Sequence, residues 1–156
     1  MSPHSLSRRL VLGGAGIVLS GLLTPILPCA ATRAADTLDF DELYGSVSVL
    51  GLTFSDKVKA LAGREVAMQG YMAPPLKAEA DFFVLTEIPM SICPFCSSDA
   101  DWPDNIVVVY LERAQTFEQA NALIEVRGTL EVGSRTDPVT GFVSRLRIVG
   151  ASIAMA

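Results

Sequence analysis

Hydrophobic and polar positions alternate with period two in three stretches of the chain. In the first, Val66, Met68, Gly70 and Met72 alternate with Glu65, Ala67, Gln69 and Tyr71, which predicts a strand with one buried face. Gly70 inside it signals a bulge or sharp bend, and Pro74-Pro75 ends it. In the second, Ile124, Val126, Gly128 and Leu130 alternate with Glu125, Arg127, Thr129 and Glu131; in the third, Phe142, Ser144, Leu146 and Ile148 alternate with Val143, Arg145 and Arg147. The segment Gly133–Gly141 between these two, holding Asp137-Pro138, reads as an exposed hairpin loop. Two further stretches are continuously apolar. Asp81–Thr86 carries Phe82, Phe83, Val84 and Leu85, and Ile106–Leu111 is a Val-rich run expected as a central strand buried on both faces.

Helical signals occur twice. Ser55 precedes Asp56-Lys57-Val58-Lys59-Ala60-Leu61 as an N-cap, and Gly63 stops the turn. Thr116 and Gln119 form a capping-box pattern, with Ala120, Leu123 and Ile124 completing a helix of about two turns. The order is strand, strand, strand, helix, strand, strand. It predicts an all-β domain with one short helix, a five-stranded OB-fold-like barrel with the helix between strands 3 and 4, in which a bend at Gly70 lets the first strand join both sheets. An open antiparallel sheet with one helix against it is the alternative; closure is favoured because it removes exposed edges. Residues 55–156 form this domain, and residues 36–54 read as a mixed acidic and apolar lead-in docked through Phe40, Leu43 and Tyr44.

Residues 1–35 have a different character. Ser7-Arg8-Arg9 precedes a Gly-rich apolar stretch to about Leu27, and Ala30-Ala31-Thr32-Arg33-Ala34-Ala35 follows. A charged start, an apolar middle and small residues before a cut describe a secretory signal, here of the twin-arginine type, so the protein is expected in the periplasm. The apolar run, about 16 to 17 residues long, lies at the lower edge of what spans a membrane, which leaves an anchor as the rival reading. Cys29 offers lipidation as a second route to the membrane. Removing residues 1–35 takes three of the 12 basic residues and none of the 17 acidic ones, so the remainder holds nine against 17, a net charge of −8. That balance argues against a nucleic-acid partner, which needs a basic footprint. The same cut removes His4, the single histidine, and one of three cysteines, leaving Cys93 and Cys96.

Both cysteines fall in a long connection, Glu87 to Asn105, together with Trp102, three prolines and Asp99, Asp101 and Asp104. Connections of this length within a compact domain are usually functional. Three chemistries compete for Cys93-Pro94-Phe95-Cys96. A disulfide suits an oxidising compartment. Thiol–disulfide exchange suits the Cys-x-x-Cys spacing, with Cys93 the attacking thiol, although no βαβ pattern surrounds it. A metal site would combine the two sulfurs with an aspartate for zinc, or with Met90 for Cu(I), which prefers three soft sulfurs. Met90 also reads as an ordinary loop or core methionine. Phe95 and Trp102 are candidate partner-binding side chains. Without histidine a Ser/His/Asp set is excluded, and no Gly-rich phosphate loop follows a strand.

The stretch Gly63-Arg64-Glu65-Val66 through Gly70-Tyr71-Met72-Ala73-Pro74, then Cys93 to Pro103, Asn105 to Val109 and Val126 to Leu130, resembles an uncharacterised family of small exported bacterial proteins with a Cys- and Pro-rich loop. The resemblance spans roughly residues 55–150. It implies a role similar to that of periplasmic accessory proteins encoded beside ABC-transporter permeases, some linked to metal supply. That family's loop carries a histidine near the cysteine, where this chain has Pro94-Phe95-Cys96. The combined expectation is a non-enzymatic periplasmic accessory or binding protein. Its Cys93–Cys96 loop would take copper, zinc or a partner, such as a transporter component or another periplasmic protein. A thiol–disulfide oxidoreductase, and a structural interaction module locked by a Cys93–Cys96 disulfide, are the alternatives.

Overall fold

The computed structural model describes residues 34–48, 51–74, 81–91, 96, 98–113 and 121–156. All of them fall in one compact unit that runs from Arg33 to Ala156. Strand β1 (Asp36–Thr37) leads into a 3-10 turn (Phe40–Glu42), then β2 (Tyr44–Ser48) and β3 (Gly51–Phe54). Helix α1 (Asp56–Leu61) follows, then β4 (Glu65–Met72), β5 (Phe82–Thr86), β6 (Ile106–Leu111), β7 (Leu123–Thr136) and β8 (Val143–Met155). This is a mostly-β chain with one short described α-helix and a mixed six-stranded sheet ordered β1-β4-β5-β6-β8-β7.

Pairing does not stop at the ends of that list. β7 also pairs antiparallel with β4, from Glu65↔Thr129 to Tyr71↔Leu123, so the ladder returns from the last strand to the second. β5 pairs antiparallel with β4 and β6, β8 runs parallel to β6, and β7 and β8 form a long hairpin. β4 serves three neighbours by dividing its length. Its start takes β1 in parallel, Asp36↔Val66 and Thr37↔Ala67, whereas its last two residues take β5. Gly70 lies just before that change of partner. A Cβ there would stand 2.8 Å from the Thr86 carbonyl oxygen and 3.0 Å from Leu85 Cγ, so the approach of β5 excludes any side chain.

The period-two pattern of β4 and β7 places alternate side chains inward. Val66, Met68, Ile124, Val126 and Leu130 are fully or almost fully buried, joined by Leu85, Leu146 and Ile148. Each such side chain contributes about 1.5–3 kcal/mol by leaving water. β5 is buried at every position and β6 at its first four, in line with their unbroken apolar sequences. Ser55 caps α1 by accepting the Val58 N–H at 3.1 Å, and its own hydroxyl donates to the Glu42 carbonyl at 2.5 Å. Gly63 ends the helical segment at a positive φ of 76° and donates its N–H to Leu130 of β7.

Three expectations change. The described part of residues 36–54 is integral to the fold: β1 belongs to the main sheet, and Leu38 and Leu43 are completely buried. Leu123 and Ile124, expected in a helix, open β7 instead, because their partners Tyr71 and Gly70 extend the ladder that far; Thr116 to Ala120 lie outside the described residues. The exposed loop is shorter than Gly133–Gly141. Gly133, with φ of 121°, lies within a register shift of β7 and β8, and β7 runs on to Thr136. The turn itself is built by Asp137, whose Oδ1 accepts the N–H groups of Val139 and Thr140 and the Thr140 hydroxyl at 3.2, 2.8 and 2.7 Å.

Candidate functional site around the cysteine loop

The connection between β5 and β6 is narrow at its neck. The Glu87 N–H donates to the Asn105 carbonyl at 3.2 Å, and the Thr86 hydroxyl lies 2.7 Å from the Ile88 carbonyl oxygen and 3.1 Å from that of Tyr71. Met90 is half-buried; Cys93 and Phe95 lie outside the described residues, so the spacing of Met90, Cys93 and Cys96 is a matter of sequence alone.

Cys96 is firmly placed. It is 1% exposed, its thiol is free, and the S–H donates to the Asp101 carbonyl at 3.6 Å. Its own carbonyl accepts the Val143 N–H at 2.8 Å, which fastens the loop to the start of β8. Burial, and secondly the negative charge of Asp101, push the thiol up to about 11. At neutral pH the group is therefore a neutral hydrogen-bond donor. Metal ligation and disulfide exchange both require the thiolate.

A 3-10 turn, Asp99–Asp101, follows directly. Its carboxylates are engaged with hydroxyls: Ser134 of β7 donates to Asp99 Oδ1 at 2.7 Å, and Ser98 donates to Asp101 Oδ2 at 2.9 Å. Trp102 then enters the core. It is 4% exposed, and its indole N–H donates to the Tyr44 hydroxyl at 2.7 Å. An indole this deeply placed presents almost no surface to a partner, so the structure assigns Trp102 to packing instead of to the partner-facing position expected from sequence. Tyr44 stacks on Phe54 across the β2–β3 hairpin at 5.4 Å between centroids. Arg145 of β8 lies over the Phe54 ring at 5.3 Å and donates to the Leu52 carbonyl at 2.9 Å. Desolvation raises the Tyr44 phenol above its ordinary value, against the opposing influence of the Trp102 hydrogen bond.

The loop and the N-terminal hairpin thus share one packed seam. Sequence reasoning singled out Cys96, Trp102 and Tyr44 separately but had no signal for their meeting, because the contacts join positions up to 58 residues apart. Ser134 and Val143, which hold the loop to β7 and β8, carry no motif at all.

Two other polar groupings stand apart from this seam. Arg147, 5% exposed, donates through Nε to Glu131 Oε2 at 3.2 Å and through Nη1 to the Gly133 and Ser144 carbonyls at 2.8 and 3.0 Å, so the buried cation is both ion-paired and hydrogen-bonded. Asp39, Asp41 and Glu42 bring three carboxylates within 4.8 Å of one another. Glu42 there is ion-paired to Lys57 and accepts the Asp39 N–H, and these contacts, Lys57 first, hold its carboxyl below the usual range. The cluster is solvent-facing and neutralised in part by its own lysine.

No family model and no curated protein sequence matches the chain. Among solved structures, the crystal structure of a DUF3299 family protein from Pseudomonas aeruginosa PAO1 is similar, with a TM-score of 0.55 and 17% identity. The match covers 79% of this chain and 97% of that one. At that identity the likeness concerns the fold alone, and it is the fold of a DUF3299 family protein that this chain resembles.

Proposed function

We propose that the protein is a non-catalytic exported binding or accessory domain built on an OB-type barrel, in which the cysteine loop is a structural closure and not a metal or redox centre. The single observation that carries this reading is the burial of the Cys96 thiol, which is hydrogen-bonded to the Asp101 carbonyl in the loop that also carries the Trp102–Tyr44 hydrogen bond. The barrel reading is supported by the circuit β4-β5-β6-β8-β7-β4: first, second, third, fifth and fourth strand, then back to the first. A parallel contact between third and fifth strands accompanies it. The periplasmic location, and the tie to transporter accessory proteins, come from the leader and from the sequence resemblance.

Titration of the reduced protein with Zn(II) and with Cu(I) against a competing chelator tests the structural role of the loop. The proposal expects no high-affinity equivalent that disappears in Cys96→Ser, and no turnover of a dithiol–disulfide pair. A stoichiometric metal lost on that substitution would restore the metal reading. Catalysed exchange lost in Cys93→Ser would restore the oxidoreductase.

A further inference from the structure

We infer that strands β2 and β3 form a flap that opens separately from the main sheet and is latched to it by Arg145 and by the Trp102–Tyr44 hydrogen bond. The six-stranded sheet is one connected ladder, whereas β2 and β3 pair only with each other among the described residues. A two-stranded hairpin by itself is marginally stable in water, so its place depends on what holds it from outside. Its own side chains supply little burial. Gly45, Ser46, Gly51 and Thr53 are exposed, and Tyr44, Leu52 and Phe54 are only half-buried. In β4, by contrast, Val66, Met68 and Met72 are buried. Segments with few buried apolar side chains open at a lower free energy than the core they rest on.

The ties divide into a hinge and a latch. At the base, Leu43 is completely buried and its carbonyl accepts the Ser55 N–H at 3.1 Å, while the Ser55 hydroxyl caps α1 through Val58. Both ends of the flap are therefore anchored. Further along, the described hydrogen bonds that reach it from the main body come from side chains. Arg145 of β8 donates to the Leu52 carbonyl at 2.9 Å, with its guanidinium 5.3 Å from the Phe54 ring centre. The Trp102 indole N–H donates to the Tyr44 hydroxyl at 2.7 Å. Opening breaks these contacts and lifts Tyr44, Leu52 and Phe54 off the core, but it leaves every strand pairing of the main sheet intact. It frees the indole of Trp102, whereas Cys96 keeps its own tie to β8 through the Val143 N–H. The flap thus governs access to the aromatic half of the seam and leaves the thiol in place.

Hydrogen exchange of the full-length protein, resolved by segment in mass spectrometry, tests this. Amides paired across β2 and β3 are expected to exchange faster than those of β4 and β7 in native buffer. Ile124→Val trims a completely buried side chain of β7. It should speed exchange in β4 and β7 and leave β2 and β3 unchanged, because the open state keeps the main sheet. Arg145→Ala and Tyr44→Phe should each speed β2 and β3 by roughly five- to tenfold, the equivalent of one lost hydrogen bond. An equal acceleration of all four strands in Ile124→Val overturns the inference, since the hairpin would then open only by global unfolding. Unchanged exchange of β2 and β3 in both latch variants overturns it as well.

Discussion

Cys96 and Trp102 behave as core residues although they sit in what is formally a loop. The thiol is stabilised in its neutral form, and burial also raises the Tyr44 and Tyr110 phenols, with Asp137 adding to the effect at Tyr110. All three groups hold their protons more tightly folded than unfolded. Between the thiol's ordinary value of 9.0 and about 11, the unfolded chain loses a proton that the folded chain keeps, so stability falls as pH rises through that window. Urea unfolding of the reduced protein from pH 8 to 11 should show this decline, with a shallower slope in Cys96→Ala. Trp102→Phe keeps an aromatic ring but deletes the donor to Tyr44. It should cost roughly 1–3 kcal/mol in the same assay. No measurable loss would mean that the indole N–H is not engaged as described.

The strands carry their own tests. Gly70→Ala drives a methyl into the Thr86 carbonyl and Leu85, and should destabilise by roughly 1–3 kcal/mol or more. Gly45→Ala is the natural control. A Cβ at Gly45 meets nothing nearer than 3.6 Å, and the change should stay within about 0.5 kcal/mol. At the β7–β8 turn, desolvation raises the Asp137 carboxyl, yet hydrogen bonds from Thr140, Val139 and Tyr110 together outweigh it and hold the group below its ordinary value. The stabilisation it provides is present at neutral pH and is lost as pH falls through that lowered value. Asp137→Ala should therefore cost about 1–2 kcal/mol at pH 7 and progressively less in acid, read by denaturation at each pH. These elements also show what local pattern can and cannot specify. The bounds of β4 and β6 were legible because period-two or unbroken apolar sequence coincides with the pairing. Leu123 and Ile124 have a spacing that fits a helical face as well as a strand, and only pairing with Tyr71 and Gly70 decides between them.

Over the whole molecule, the contacts that define the candidate site connect parts distant in sequence. The N-terminal segment supplies β1, two fully buried leucines and the tyrosine that receives Trp102. Its short, irregular pieces carry no periodicity, which is why it read as a lead-in. The Cys-x-x-Cys spacing draws attention to this loop, but spacing says nothing about exposure, and exposure decides between a reactive and a packed thiol. The most direct test of the central claim is the alkylation rate of Cys96 in the reduced protein, followed peptide by peptide in mass spectrometry, with and without denaturant. The structure predicts that Cys96 is protected by orders of magnitude in the native state at pH 8 and reacts freely once the chain unfolds. Modification of native Cys96 at the unfolded rate would contradict a structural role for the loop and return it to the class of reactive sites.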